Sequence, residues 1–107
     1  MTHALDALFT TIAARKAEGD AAKSYTAKLI AAGVEKCAKK MGEEAVETAL
    51  AGVSGNKDYL AAESADLLYH LAVLWAAAGV VPDDVYAKLR AREGQSGLAE
   101  KASRKSD

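Results

Sequence analysis

The sequence predicts an all-α protein, an antiparallel bundle of about five helices. Three observations carry that expectation. Apolar residues recur every three to four positions in each long segment, as on one face of a helix. Half of the 107 residues are apolar, and much of that half is alanine, the strongest helix former. Apart from Gly42, the glycines and the single proline fall at the ends of or between the periodic segments, with no alternating run that reads as a strand. The first helix is expected from Ala4 to about Lys16, with Leu5, Leu8, Phe9 and Ile12 on one face and an end before Gly19-Asp20. Ser24 is a natural N-cap for Tyr25 to Ala32, and Gly33 closes that segment or bends it into the next. Val34 to Ala51 reads as a long helix despite Gly42, an interior glycine costing about 1 kcal/mol against alanine and open to a ligand or a neighbouring helix. Gly52-Val53-Ser54-Gly55-Asn56 is a turn signal that folds the chain back as a helical hairpin. Asp58 is expected to cap the return helix, which runs to about Ala78 on Leu60, Leu67, Leu68, Leu71, Leu74 and Trp75 before Gly79 stops it. Pro82 suits the first turn of a last helix ending near Arg92, with Asp83 and Asp84 at its positive end. The polar tail from Gly94 is expected to be partly ordered.

Length and composition fit one domain over residues 1–107. The alanine-rich core is thin, however, with one phenylalanine and one tryptophan, so helix packing between two copies of the chain is expected to complete it. A formal net charge of −1 argues against a general nucleic-acid binder, which needs clustered cations. Cys37 is the only cysteine, which excludes an intrachain disulfide and a multi-thiolate zinc site and suits a reducing compartment. No apolar run approaches the roughly 20 residues of a membrane span, and the first residues lack a signal-peptide pattern. A cytoplasmic location is the expectation.

The chemistry is concentrated in two carboxylate pairs, each three residues apart: Glu44 with Glu47, and Glu63 with Asp66. On a helix such a spacing places both groups on one face. Measured outward from Ser54, Glu47 matches Glu63 in depth and Glu44 matches Asp66, with a mismatch of about 3 Å at the helical rise. Four facing carboxylates repel one another and resist ionisation unless a cation compensates them. A lone Glu-x-x-Glu is ordinarily a solvated face, but two on consecutive helices at matched depth, the second beside Leu67 and Leu68, point to a metal site. An all-oxygen donor set selects magnesium, with manganese as a substitute, over zinc. A di-iron bundle would need Glu-x-x-His pairs, and three residues after Asp66 stands Tyr69. His70 lies four residues after Asp66 and is read either as a substrate contact or as a histidine hydrogen-bonded within the bundle. Cys37 reads as a small buried residue. Lys36, Lys39 and Lys40 form a basic approach to the acidic motif or a solvated face with pairs such as Lys39–Glu43 and Lys40–Glu44.

Glu43-Glu44-x-x-Glu47, about fifteen intervening residues, and Glu63-x-x-Asp66 resemble the signature of the all-α, MazG-type nucleotide pyrophosphatases. Ser24-Tyr25-Thr26, Lys39-Lys40-Met41-Gly42-Glu43-Glu44, Ala65-Asp66-Leu67-Leu68-Tyr69-His70-Leu71 and the tail Ser96-Gly97-Leu98-Ala99-Glu100-Lys101-Ala102-Ser103-Arg104 narrow the likeness. Together they resemble the phosphoribosyl-ATP pyrophosphohydrolases of the second step of histidine biosynthesis, along nearly the whole chain. The resemblance implies magnesium-dependent hydrolysis of phosphoribosyl-ATP to phosphoribosyl-AMP and pyrophosphate. It further implies a homodimer and a stand-alone domain rather than one fused to the next enzyme of the pathway. It assigns Glu44, Glu47, Glu63 and Asp66 to the metal, and Glu43 either to the attacking water or to an outer-face pair with Lys39. Lys40, Arg15, Arg92, Lys101, Arg104 and His70 become candidates for substrate contact. Two other readings stand beside it: a pyrophosphatase acting on free nucleoside triphosphates, and a non-catalytic helical module, which would need no acidic quartet.

Overall fold

The computed structural model describes residues 3–94 as five helices, with no strand among them: α1 (Ala4–Glu18), α2 (Tyr25–Ala32), α3 (Val34–Ser54), α4 (Lys57–Ala78) and α5 (Pro82–Ala91). The expectations about the tail, including Lys101 and Arg104, lie outside the described residues. Local chemistry explains most boundaries. The Nδ1 of His3 accepts the Leu5 N–H at the start of α1, and the Ser24 hydroxyl oxygen accepts the Ala27 N–H at the start of α2. Gly33, at φ 104°, is the joint at which the chain turns from α2 into α3. Behind that joint the Cys37 thiol donates to the Leu29 carbonyl at 3.2 Å, and burial pushes the thiol's pKa up. Cys37 is therefore a packed structural residue.

The hairpin differs from expectation at both ends of its turn. α3 continues through Gly52 and Val53 to Ser54 before Gly55 reverses the chain at φ 79°. Gly52 sits where an added Cβ would come within 3.9 Å of Leu60 on α4, so packing against the return helix offsets its poor propensity. The cap of α4 is Asn56 and not Asp58: its side-chain oxygen accepts the Tyr59 N–H at 3.0 Å, and Asp58 sits in the first turn. At α5 the Asp84 carboxylate reaches back to accept the Val81 N–H at 3.0 Å, and the helix ends one residue earlier than expected, with Arg92 as its cap.

α3 and α4 form the long antiparallel pair, and α1 and α2 lie against it. The buried cluster joins Ile12 of α1, Leu29 of α2, Cys37 of α3, and Ala72 and Val73 of α4. α5 is tied on through aromatic contacts: Phe9 meets Trp75 at 5.6 Å between ring centroids and Tyr86 at 6.3 Å. The Lys16 ammonium donates to the Ala76 carbonyl at 2.7 Å, fixing α1 to the far end of α4. This core lies toward the C-terminal half of α4, which leaves the hairpin's acidic half less enclosed. No single helix among the described residues is long and apolar enough to cross a membrane.

Replacing the true cap discriminates the two assignments. Asn56→Ala is expected to lower unfolding free energy by about 1 kcal/mol in chemical denaturation, and Asp58→Ala by clearly less. The reverse order would return the cap to Asp58.

Candidate metal centre

The hairpin brings Glu44 of α3 together with Glu63 and Asp66 of α4, one carboxylate oxygen of each lying within 4.8 Å of the others. Oxygen-ligated cations with bonds of about 2.0–2.6 Å need opposing donors roughly 4–5 Å apart, so the three groups have the spacing and the hard-donor chemistry of a divalent site. Glu44 and Glu63 are half-buried and Asp66 is exposed, which leaves the cluster open to solvent on one side.

Glu63 bears the cost of this convergence. Lost hydration, then the charges of Glu44, Asp66 and Glu47, and then a hydrogen bond with Glu44 hold its carboxyl above the ordinary carboxylate range. Glu47 does not join the close trio. The Tyr59 phenol stands near it: partial burial and then the charges of Glu47 and Glu63 raise that phenol's pKa. Tyr59 and Glu47 thus lie together beside the trio.

A second residue absent from the sequence reading locks the helices in register. The Thr48 hydroxyl lies 2.7 Å from the Glu44 carbonyl on its own helix and 3.1 Å from the Glu63 carbonyl across the hairpin. Both missed residues had a spacing signal: Thr48 follows Glu44 by four positions and Tyr59 precedes Glu63 by four, each on its carboxylate's face.

The other candidates are dispersed. Exposed Glu43 pairs with Lys40 at 3.8 Å, in place of the expected Lys39–Glu43 and Lys40–Glu44 pairs, so Glu43 lies toward the outer face. Arg15 pairs with Glu18 at 3.3 Å on α1, beside the Lys16 that reaches Ala76. Ala76 is ten residues beyond Asp66, about 15 Å along the helix, so the structure does not bring Arg15 to the carboxylates. Arg92 closes α5, its backbone N–H donating to the Leu89 carbonyl at 3.1 Å. His70 is buried, 8% exposed, but its Nδ1 has no hydrogen-bond partner among the described residues, unlike the satisfied histidine that the sequence also allowed. A cleft of about 260 Å³ lined by Phe9, Ile12, Trp75, Val80 and Pro82 lies at the other end of α4 and is mostly apolar, unsuited to a polyphosphate.

Comparison with known proteins identifies the family. Residues 5–93 match the family model described as phosphoribosyl-ATP pyrophosphohydrolase. Among similar curated proteins, the phosphoribosyl-ATP pyrophosphatase of Parvibaculum lavamentivorans is 62% identical, over 94% of this chain and 91% of its own length. Those of Azospirillum brasilense and Rhizorhabdus wittichii are 58% and 56% identical, covering 95% and 97% of this chain and 91% and 97% of their own lengths. By the extent of the family match and the identity of these relatives, the chain belongs to the phosphoribosyl-ATP pyrophosphohydrolase family.

Proposed function

We propose that this protein hydrolyses phosphoribosyl-ATP to phosphoribosyl-AMP and pyrophosphate in histidine biosynthesis, acting in the cytoplasm as a single domain over residues 1–107. The observation that carries the proposal is the convergence of Glu44, Glu63 and Asp66 across the α3–α4 hairpin, in a chain of this family. A triphosphate is strongly anionic, and three carboxylates repel it unless cations stand between them.

Glu44, Glu63 and Asp66 would hold the cation, with Glu47 as a fourth ligand at the edge of the site, and their all-oxygen donor set suits magnesium. When bound, the cation draws the polyphosphate to the acidic face and offsets charge on the departing pyrophosphate. Water adds across the α–β anhydride; the bridging bond breaks, pyrophosphate leaves, and the phosphate proximal to the ribose stays on the product. Thr48 keeps Glu44 and Glu63 in register through their main chain, and Tyr59 lies beside Glu47. Lys40, one turn before Glu44, contacts a phosphate oxygen in this reading, exchanging its Glu43 partner for the substrate. Glu43 in turn positions Lys40 and takes no proton in this reading.

The protein acts as a homodimer in this reading. Gly42, Val46, Ala49 and Val53 recur at helical spacing on the side of α3 away from α4, and Val46, Leu50 and Val53 are exposed apolar side chains. Among the described residues, nothing beyond the helix's own neighbouring backbone lies within 4 Å of the position of a Cβ on Gly42, so their packing does not explain a glycine there. A second copy lying along this face explains both.

Three measurements follow. Purified protein with magnesium, offered phosphoribosyl-ATP, ATP and dUTP, is expected to release pyrophosphate preferentially from phosphoribosyl-ATP. Equal release from ATP would make it a general nucleoside triphosphate pyrophosphatase, and no release from any would overturn the proposal. Asp66→Asn and Glu63→Gln are each expected to cut turnover by about a hundredfold or more, as loss of about 3 kcal/mol of transition-state stabilisation requires. Both should keep the helical circular dichroism, and more than a tenth of wild-type activity in both would refute the ligand set. Leu50→Glu is expected to convert a dimer to a monomer in light scattering; a wild-type protein already monomeric at micromolar concentration would contradict the dimer.

A further inference from the structure

We infer that the exposed ring of Tyr25 is the platform on which the nucleotide's base stacks, so that α2 supplies base recognition beside the carboxylates of α3 and α4. The inference rests on the proposed nucleotide site and names its second half. Tyr25 opens α2 and is 54% exposed, yet its ring is firmly oriented by neighbours. The Tyr69 ring lies nearly parallel to it, at 15° and 6.5 Å between centroids, and the His70 ring meets it edge-on at 89° and 6.3 Å. Tyr69 is itself anchored, its phenol hydrogen-bonded to the Thr26 hydroxyl at 2.5 Å. An exposed aromatic face with a preset orientation loses little freedom when a planar ligand covers it.

Position gives that face its ligand. Tyr69 and His70 follow Asp66 by three and four residues, so the aromatic group begins one helical turn, about 5 Å, from a carboxylate of the trio. A turn is of the order of the single sugar that separates the α-phosphate of a nucleotide from its base. The chemistry selected is a polyphosphate carrying a heteroaromatic base, as opposed to a polyphosphate alone.

Calorimetric binding of ATP and of inorganic triphosphate, each with magnesium, separates the base from the phosphates. Tyr25→Ala and Tyr25→Leu are expected to weaken ATP binding about tenfold, the scale of one base–aromatic stack, and to change triphosphate binding less than twofold. Tyr25→Phe and Tyr25→Trp should restore ATP binding, and all four variants should retain the wild-type melting temperature within the small range expected of a surface substitution. In turnover, the Ala and Leu variants should raise KM for phosphoribosyl-ATP about tenfold with kcat within a few-fold of wild type. Equal weakening of ATP and triphosphate, or none, would overturn the platform while leaving the hydrolase reading intact. A wild-type protein that binds ATP but cleaves no phosphoribosyl-ATP would overturn the hydrolase reading, and the ATP-to-triphosphate ratio would still judge Tyr25. Binding of neither ligand by a wild type that still cleaves phosphoribosyl-ATP would overturn the platform while leaving the hydrolase reading intact.

Discussion

The structure turns on a repulsion that the fold does not relieve. Glu44, Glu63 and Asp66 are held within 4.8 Å of one another, with Glu47 close enough to add its charge, and Glu63 answers by holding its proton more tightly. A protein selected for stability alone would separate such groups or replace one of them. Here the hairpin is arranged to keep them together. α3 and α4 run antiparallel, Thr48 bridges them at the level of Glu63, and Asn56 caps the return helix directly after the Gly55 reversal. An acidic cluster maintained at a cost to folding is the condition in which a divalent cation binds most usefully, because the ion recovers the repulsion and offers its remaining charge to phosphate.

The division of labour along α4 follows from the same constraint. Its C-terminal half carries Ala72 and Val73 into the core and receives Phe9 and Lys16 from α1. Its N-terminal half, from Tyr59 to Asp66, stays open on one side, as a site for a large anionic substrate must. Tyr69 and His70 stand at the junction, where the buried part of the helix begins and α2 brings Thr26 and Tyr25 alongside. The acidic cluster at the open end and the packed core at the closed end thus stand about two helical turns apart on one helix.

Most of the helices were legible because their ends carry residues with local physical reasons to be there. Ser24, Gly33, Gly79 and Pro82 each act through their own backbone or side chain, with no help from distant contacts. The turn of the hairpin was blurred because Gly52 looks like a helix breaker until its packing against Leu60 is known, and because Asn56 and Asp58 are both competent caps two residues apart. Spacing alone put Glu44, Glu47, Glu63 and Asp66 on one face of the hairpin, and the structure gathers three of them while leaving Glu47 outside the close trio. What spacing does not reveal is the direction of a hydroxyl: Thr48 and Tyr59 are visible only once the second helix is in place. The basic residues were the least legible, since long flexible cations such as Lys40 and Arg15 pair with the nearest carboxylate on their own helix, here Glu43 and Glu18, whatever they meet when substrate is bound.

The central claim, that the cluster is under electrostatic strain which a cation relieves, is tested most directly by melting chelator-stripped protein across about pH 4–8, the range over which carboxylates ionise, with and without millimolar magnesium. The pKa of Glu63 is raised in the folded state, so its contribution to stability is present below the ordinary carboxylate pKa and is lost as pH rises through the raised value. Without magnesium, that part of the stability should therefore fall as pH climbs out of the ordinary carboxylate range. Magnesium, binding the ionised cluster in the folded state, should restore it, with a gain in melting temperature that grows with pH. A melting temperature indifferent to magnesium at every pH would contradict the account.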